Sequence, residues 1–191
     1  YQKKLYYSSF RAELEKKIGP VAFKNMEIAQ KAMDEKIIPL MQEENNLTTE
    51  YDKLIASAKI PFDGKELNLS LLRPYLVNQD RNVRREAWKV FSRFFRENAD
   101  KLDEIYDKLV KNRTEQARKL GYENYLELGY YRMGRNCYGK AEVEAYRAQV
   151  KKDFVPFAEK LHEQRRKRLG LDKLSYIDKA VSYTHLTLPT T

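Results

Sequence analysis

Cysteine, glycine and proline are all scarce in this sequence. The 191 residues include one cysteine, seven glycines and six prolines. A single cysteine, Cys137, excludes an internal disulfide and fits a reducing compartment, so we expect a cytoplasmic protein. Few glycines and prolines leave long stretches uninterrupted, which favours long helices. No apolar run approaches the roughly 20 residues of a membrane-spanning helix, so we expect no membrane partner.

Histidine is nearly absent, which excludes a complete zinc site of the H-E-x-x-H kind. The two histidines are His162 and His185. That motif needs two imidazoles one helical turn apart, but the segment beginning His162-Glu163 has Arg166 at the second histidine position. A cation at that position would repel the metal. We therefore predict no metal ligand in this chain, and the near-match at His162 is explained by chance on a solvated helix.

The parts needed for nucleophilic catalysis are also missing. Cys137 follows Arg135-Asn136, which could stabilise a thiolate, but no histidine lies near it in the sequence to act as a base. An ordinary loop or packing thiol is the simpler interpretation. Acidic pairs such as Glu43-Glu44 fall on polar helical segments, where we expect surface charge. The sequence therefore predicts no catalytic residue.

What the sequence has in quantity is charge interleaved with apolar residues. Charged residues make up 34% and hydrophobic residues 42%, with a net charge of +9. This mixture is typical of an ordered, helix-rich domain. Apolar residues recur at helical spacing, as at Val83, Ala87 and Phe91. We predict an all-α fold, an elongated helical lobe, with one small β-hairpin near residues 58–69.

Turn and cap residues give the expected element boundaries. Asp63-Gly64 favours a type I′ hairpin turn, because both positions tolerate positive φ. Asp34 and Asp80 are expected N-caps. Pro156 should bend the last helix. The predicted helices are 8–18, 20–33, 34–45, one capped by Thr48 or Thr49, one running from a Ser70 cap to Leu76, 80–120 with a break near Asn98, 124–133 ended by Gly134, and 140–169 ended by Gly170.

The predicted organisation has two segments of one lobe and a tail. Residues 1–79 form a helical segment with the hairpin, and residues 80–178 form a long-helix segment. From about Ala180 the sequence loses both charge and helical periodicity. Residues 179–191 are therefore predicted to be a non-native or disordered tail.

One basic segment stands out, at residues 147–170. It has eight lysines and arginines against three acidic residues, and is densest at Arg165-Arg166-Lys167-Arg168. One interpretation is a stand-alone helical binding module that uses this helix on nucleic acid. The other is charge that complements the dipole at a helix C-terminus. The run of four spreads around the helix instead of forming a stripe, which favours the second interpretation and makes a nucleic-acid partner unlikely by that criterion.

Tyrosines and arginines concentrate in a segment punctuated by glycines, from Gly121 to Arg135. Tyrosine offers apolar area with a polar tip, and arginine offers a fork that fits carboxylates. The segment suits a peptide-binding wall, and it equally suits helix packing with buried hydroxyls. Its aromatic and basic members are Tyr122, Tyr125, Tyr130, Tyr131, Arg132 and Arg135.

The same segment carries a family resemblance. Residues 120–135, with sequence LGYENYLELGYYRMGR, closely resemble oligoendopeptidase F-type enzymes of the M3 zinc metallopeptidase family. So do Gln42-Glu43-Glu44-Asn45, residues 54–58, the Asp63-Gly64 hairpin and residues 80–87, in the same order and spacing. The resemblance covers about residues 8–178.

The resemblance implies a mostly helical peptidase that cleaves short peptides in a channel between two lobes. It implies one zinc in the full-length parent, held by an H-E-x-x-H helix and a later glutamate, and no position of this chain corresponds to those ligands. The chain would then be a non-catalytic helical fragment, inactive alone, whose partners are the missing catalytic lobe and, in the parent, short peptides. We nominate Tyr131, Arg132 and Arg135 as channel-facing, substrate-binding residues.

Overall fold

Helices account for most of residues 2–178, which are the residues that the structure, a computed structural model, describes. The prediction of an all-α fold with one small hairpin is confirmed. The helices are α1 Gln2–Tyr6, α2 Arg11–Ile18, α3 Pro20–Lys31, α4 Ile38–Ala56, α5 Leu69–Leu76, α6 Arg81–Glu97, α7 Ala99–Lys119, α8 Tyr125–Arg132, α9 Lys140–Gln149 and α10 Val155–Arg168. The predicted tail, 179–191, lies outside the described residues.

The predicted hairpin forms from strands β1 (Ile60–Phe62) and β2 (Lys65–Leu67). They pair antiparallel, with Ile60 opposite Leu67. Asp63 and Gly64 both have positive φ, 54° and 68°, as a type I′ turn requires. The inward-facing residues of both strands join a buried apolar cluster with α5 and α6, so the hairpin is held by packing on the two helices.

Side-chain caps begin the helices largely where the sequence indicated. Asp80 Oδ1 accepts from the Asn82 backbone N–H at 2.7 Å, and Asp34 Oδ1 accepts from that of Lys36 at 3.0 Å. Asp34 caps a short 3₁₀ turn, Glu35–Ile37, which leads into α4. The Ser70 cap was wrong, because Asn68 Oδ1 accepts from the Leu71 N–H at 2.8 Å.

Helix α4 corrects a second boundary. The sequence predicted one helix ending at residue 45 and another starting at Thr48 or Thr49, but α4 runs unbroken to Ala56. Leu47 is buried on it, and this burial holds the polar stretch in the helix. Pro39 is tolerated because it lies in the first turn, where its missing N–H has no helical acceptor.

The two long helical stretches are interrupted, each for a local reason. Asn98 separates α6 from α7, as predicted, and its side-chain amide donates to the Phe94 carbonyl at 2.8 Å. Between α9 and α10 the helix widens into a π-helical turn, Val150–Phe154, just before Pro156. Proline cannot donate to the carbonyl four residues earlier, and its ring crowds that carbonyl, so a distortion there is expected.

The described residues form two compact units, each made of two stretches of chain. Unit 1 contains residues 2–48 and 105–147, and unit 2 contains residues 49–104 and 148–178. These units are defined by contacts between residues, whereas the two predicted segments are divided along the sequence at residue 79. That division remains a prediction. No helix among residues 2–178 is long and apolar enough to cross a bilayer.

In unit 2, a buried ion pair joins the end of the described chain to α6. Asp178 is fully buried and accepts from Arg81 through two bonds of 2.9 and 3.0 Å, and Arg84 Nη2 lies 3.4 Å from it. Hydrogen bonds from Arg81 hold the pKa of Asp178 below its ordinary value. The pair fastens the 3₁₀ turn Tyr176–Asp178 to α6 across more than 90 residues of sequence.

Candidate functional site

A tyrosine-lined cavity of about 670 Å³ lies within unit 1, and we call it the tyrosine cavity. Helix α3 forms one side, and α8 with the segment leading into it forms another. The turn that joins α8 to α9 completes it. Its volume falls within the range of small-ligand pockets. The aromatic and basic lining residues are Lys24, Lys31, Tyr122, Tyr130, Tyr131, Arg135, Tyr138 and Lys140.

The end of α8 determines where Arg135 lies. Gly134 has φ +68°, and its N–H donates to the Tyr131 carbonyl at 2.9 Å. The Arg135 N–H donates to the Tyr130 carbonyl at 3.1 Å. These two bonds form a Schellman motif, in which the side chain after the glycine usually packs on the residue five positions earlier. That contact here is the Arg135 guanidinium on the Tyr130 ring.

The Arg135 guanidinium lies close to two aromatic rings. Its Cζ lies 4.2 Å from the centroid of the Tyr130 ring and 5.4 Å from that of Tyr138. Both distances are within the range of cation–π attraction. No carboxylate among residues 2–178 pairs with this guanidinium. Arg135 is therefore held in place by aromatic contact, and its N–H groups remain available.

Tyr131 also lines the cavity, and it is tied to neighbouring charges. Its hydroxyl donates to Glu127 at 2.8 Å, and Lys31 Nζ lies 5.4 Å from its ring centroid. The hydrogen bond to Glu127, helped by burial, raises the pKa of Tyr131, so the phenol stays protonated at neutral pH. Lys31 in turn forms a 2.8 Å ion pair with Glu27, and this bond raises the pKa of Lys31.

Arg132, the third nominated residue, does not line the tyrosine cavity. Its guanidinium points to the other side of α8, where Nη1 donates to Glu44 at 2.8 Å and Nη2 donates to the Gln116 side-chain carbonyl. The structure therefore brings Tyr131 and Arg135 together at one cavity and directs Arg132 into a separate set of contacts.

Those contacts form a network centred on Glu44, which we call the Glu44 network. Arg113 Nε donates to Glu44 Oε1 at 2.7 Å, while Gln116 Nε2 and Arg132 Nη1 each donate to Oε2 at 2.8 Å. Asn112 extends the network to the Leu40 carbonyl of α4 at 3.0 Å. The network joins α4, α7 and α8 through one carboxylate.

Glu44 corrects the expectation that the Glu43-Glu44 pair is surface charge. The side chain of Glu44 is only 13% exposed, although Glu43 is exposed as expected. Burial would raise the pKa of Glu44, but the hydrogen bonds from Gln116, Arg132 and Arg113 outweigh it and lower that pKa. The residues next to Glu44 do not indicate this burial, because its partners lie 69 to 88 residues away.

The sequence candidates for other chemistry form no site. His162 is exposed on α10, and its neighbour Glu163 accepts two 2.8 Å bonds from Arg166. Within residues 2–178 no group of three or more histidine, cysteine, aspartate or glutamate residues could hold a metal ion. Cys137 is exposed and lines the tyrosine cavity, to which none of the described histidines contributes.

The basic helix around Arg166 uses its charge locally. Arg166 donates to the Leu171 carbonyl at 2.8 Å, beyond the end of α10, as well as to Glu163. Arg166 therefore ties the segment that follows α10 back to the last turns of the helix. No observation on the described part of residues 147–170 favours nucleic-acid binding.

Comparison with known proteins identifies the family. The family model for Peptidase family M3 matches residues 75–183, more than half of the chain. This chain belongs to peptidase family M3. No curated protein matches it in sequence.

Solved structures of the M3 peptidase type share the fold. An oligoendopeptidase F from Bacillus anthracis str. Ames is 40% identical, with a TM-score of 0.88. PZ peptidase A, in a structure with an inhibitor, is 46% identical, and a further oligoendopeptidase F is 45% identical, both with TM-scores of 0.90. Each match covers 95% of this chain but only 32% or 33% of the relative. The chain therefore spans about a third of their length.

Proposed function

We propose that this chain is the non-catalytic helical part of a zinc-dependent, cytoplasmic oligopeptidase, and that its tyrosine cavity forms part of the wall that holds short peptides. The observation that carries the proposal is that Tyr131 and Arg135 both line one cavity of ligand size. Aromatic rings offer peptide side chains apolar area, and an available arginine offers hydrogen-bond donors.

Zinc enters this proposal only through the longer enzyme. The residues described here offer no cluster of three metal ligands, so they do not fit the ion. Zinc would supply the activation of water for peptide hydrolysis when bound elsewhere in the parent. The residues of this chain would bind and orient the peptide, and the fragment alone would be inactive.

An exposed apolar stretch supports a further protein partner, the catalytic lobe of the parent. Phe154, Phe157 and Leu161 are 60%, 54% and 47% exposed, and they lie within two helical turns of one another. Large apolar groups clustered on a surface mark a contact with other protein. The part of the M3 relatives that this chain does not span is the occupant that we propose.

The proposal predicts a binding defect when the cavity wall is changed. In the full-length enzyme that contains this segment, Tyr131→Ala should raise KM for a quenched peptide of about eight residues roughly fivefold or more, with kcat nearly unchanged, because zinc chemistry is elsewhere. Tyr106→Ala is the matched control, since Tyr106 is 71% exposed and outside the cavity. An unchanged KM in Tyr131→Ala, or an equal change in the control, would contradict the proposal.

A further inference from the structure

We propose that Arg135 is the carboxylate-binding residue of the tyrosine cavity, so that peptides held there are recognised by a C-terminal or side-chain carboxylate. This inference rests on the peptide-binding function proposed above and names the chemical group that the cavity selects.

The first support is that Arg135 lacks an ionic partner of its own. The other two arginines near α8, Arg113 and Arg132, both form ion pairs with Glu44. The guanidinium of Arg135 contacts only the Tyr130 and Tyr138 rings within residues 2–178. An arginine that lines a cavity without a carboxylate partner is suited to take one from a ligand.

The second support is the position of the guanidinium, whose Cζ lies 4.2 Å from the centroid of the Tyr130 ring. Contact with an aromatic ring holds an arginine without using its N–H donors. A planar carboxylate can accept two parallel N–H bonds from a guanidinium. The Schellman bond from the Arg135 N–H to the Tyr130 carbonyl fixes the backbone at this position, so part of the ordering is complete before a peptide binds.

The third support comes from the charged residues of the cavity wall. Glu27 is neutralised by Lys31, at 2.8 Å. Glu127 accepts from the Tyr131 hydroxyl, and Glu142 accepts from the Gly139 N–H at 2.8 Å. The lining also includes Glu123 and the cations Lys24 and Lys140. Arg135 differs from these lysines because its fork can give one carboxylate two parallel N–H bonds.

The test compares matched peptides in the full-length enzyme. One pair differs only in a free or an amidated C-terminus, with neutral side chains. A second pair is amidated throughout and differs only in an internal glutamate or glutamine. We expect the enzyme to favour the carboxylate member of at least one pair by about tenfold in kcat/KM, the size of a charge-assisted hydrogen bond. The pair that responds identifies the source of the carboxylate.

Substitutions of Arg135 test whether the preference for carboxylate peptides depends on this residue. Arg135→Gln should bring the ratio within a pair close to one, and Arg135→Lys should keep part of it, since it retains the charge without the fork. Arg118→Gln is the matched control, because Arg118 is exposed on α7 and outside the cavity lining, and it should keep the full ratio. Thermal melting checks that each variant folds, and Arg135→Lys carries the test if Arg135→Gln does not fold.

Two results would overturn the inference. They are a wild-type enzyme that favours neither carboxylate member, and a full wild-type preference in Arg135→Gln or, if that variant does not fold, in Arg135→Lys. Tyr131→Ala separates this failure from failure of the proposed function. If that variant raises KM for acid and amide peptides alike, the cavity binds peptides and only the role of Arg135 is wrong.

Discussion

The Glu44 network and the tyrosine cavity share helix α8 but use its two sides differently. On one side, Arg132 is 20% exposed and gives its charge to a buried carboxylate. On the other, Arg135 lies three residues further along, within cation–π distance of two tyrosine rings and without a carboxylate partner in the described chain. The same residue type thus stabilises the fold in one position and remains available for a ligand in the other. We propose that ionic pairing, and not residue type, distinguishes the structural arginine from the one that binds a ligand.

The largest expected effect is the loss of the charge at the centre of the network. Glu44→Gln leaves Arg113 and Arg132 without their carboxylate. We expect the free energy of unfolding to fall by about 3 kcal/mol, the lower end for breaking a buried pair, because Arg113 is still partly exposed. Urea unfolding followed by circular dichroism measures the change. Glu50→Gln, on the same helix and 50% exposed, should change it by no more than about 0.5 kcal/mol. Equal losses of unfolding free energy in Glu44→Gln and Glu50→Gln would show that the network adds no stability beyond that of an exposed glutamate.

Lowering the pH should remove part of the stabilisation that ionised Glu44 provides, so the expected loss of unfolding free energy is smaller than in Glu44→Gln. The folded-state pKa of Glu44 is lowered from the ordinary value of 4.5. The stabilisation is therefore complete above that value and is lost as pH falls through the lower, folded-state pKa. Urea midpoints measured between pH 6 and pH 3 should fall less steeply in Glu44→Gln than in the wild type. Identical slopes would show that Glu44 is not held ionised by its partners.

A smaller effect is expected at the turn between the two regions. Gly134→Ala places a side chain at φ +68°, where there is open space but the backbone conformation is unfavourable. We expect a loss of about 1 kcal/mol in stability. In the full-length enzyme the same variant should weaken the preference for carboxylate peptides, since the turn positions Arg135. A stable variant with unchanged peptide preference would show that the Schellman motif does not matter for binding.

Sequence reasoning succeeded where the cause of a structure is local. The Asp63-Gly64 turn, the Asp80 cap and the break at Asn98 each depend on residues within a few positions. The same reasoning failed at Ser70, because Asn68 is also a good cap and only packing chooses between them. The unbroken α4 was missed for a related reason, since the burial of Leu47 comes from tertiary contacts.

The candidate site was predictable only in part. Of the residues nominated in the segment from Gly121 to Arg135, Tyr131 and Arg135 line one cavity. The different surroundings of Arg132 could not be predicted, since Glu44 lies 88 residues away. One signal was present in the sequence. Asn112, Arg113 and Gln116 fall at helical spacing on one face of α7, so polar side chains able to bind one common partner could be expected there.

The most direct test of the division between the two regions compares Arg132→Ala with Arg135→Ala by native-state hydrogen exchange of the α8 amides. We predict that Arg132→Ala lowers their opening free energy by about 2 kcal/mol, because it removes hydrogen bonds to Glu44 and Gln116. Arg135→Ala should lower it by about 0.5 kcal/mol, the size of an exposed cation–π contact. Equal losses, or a larger loss in Arg135→Ala, would contradict the account.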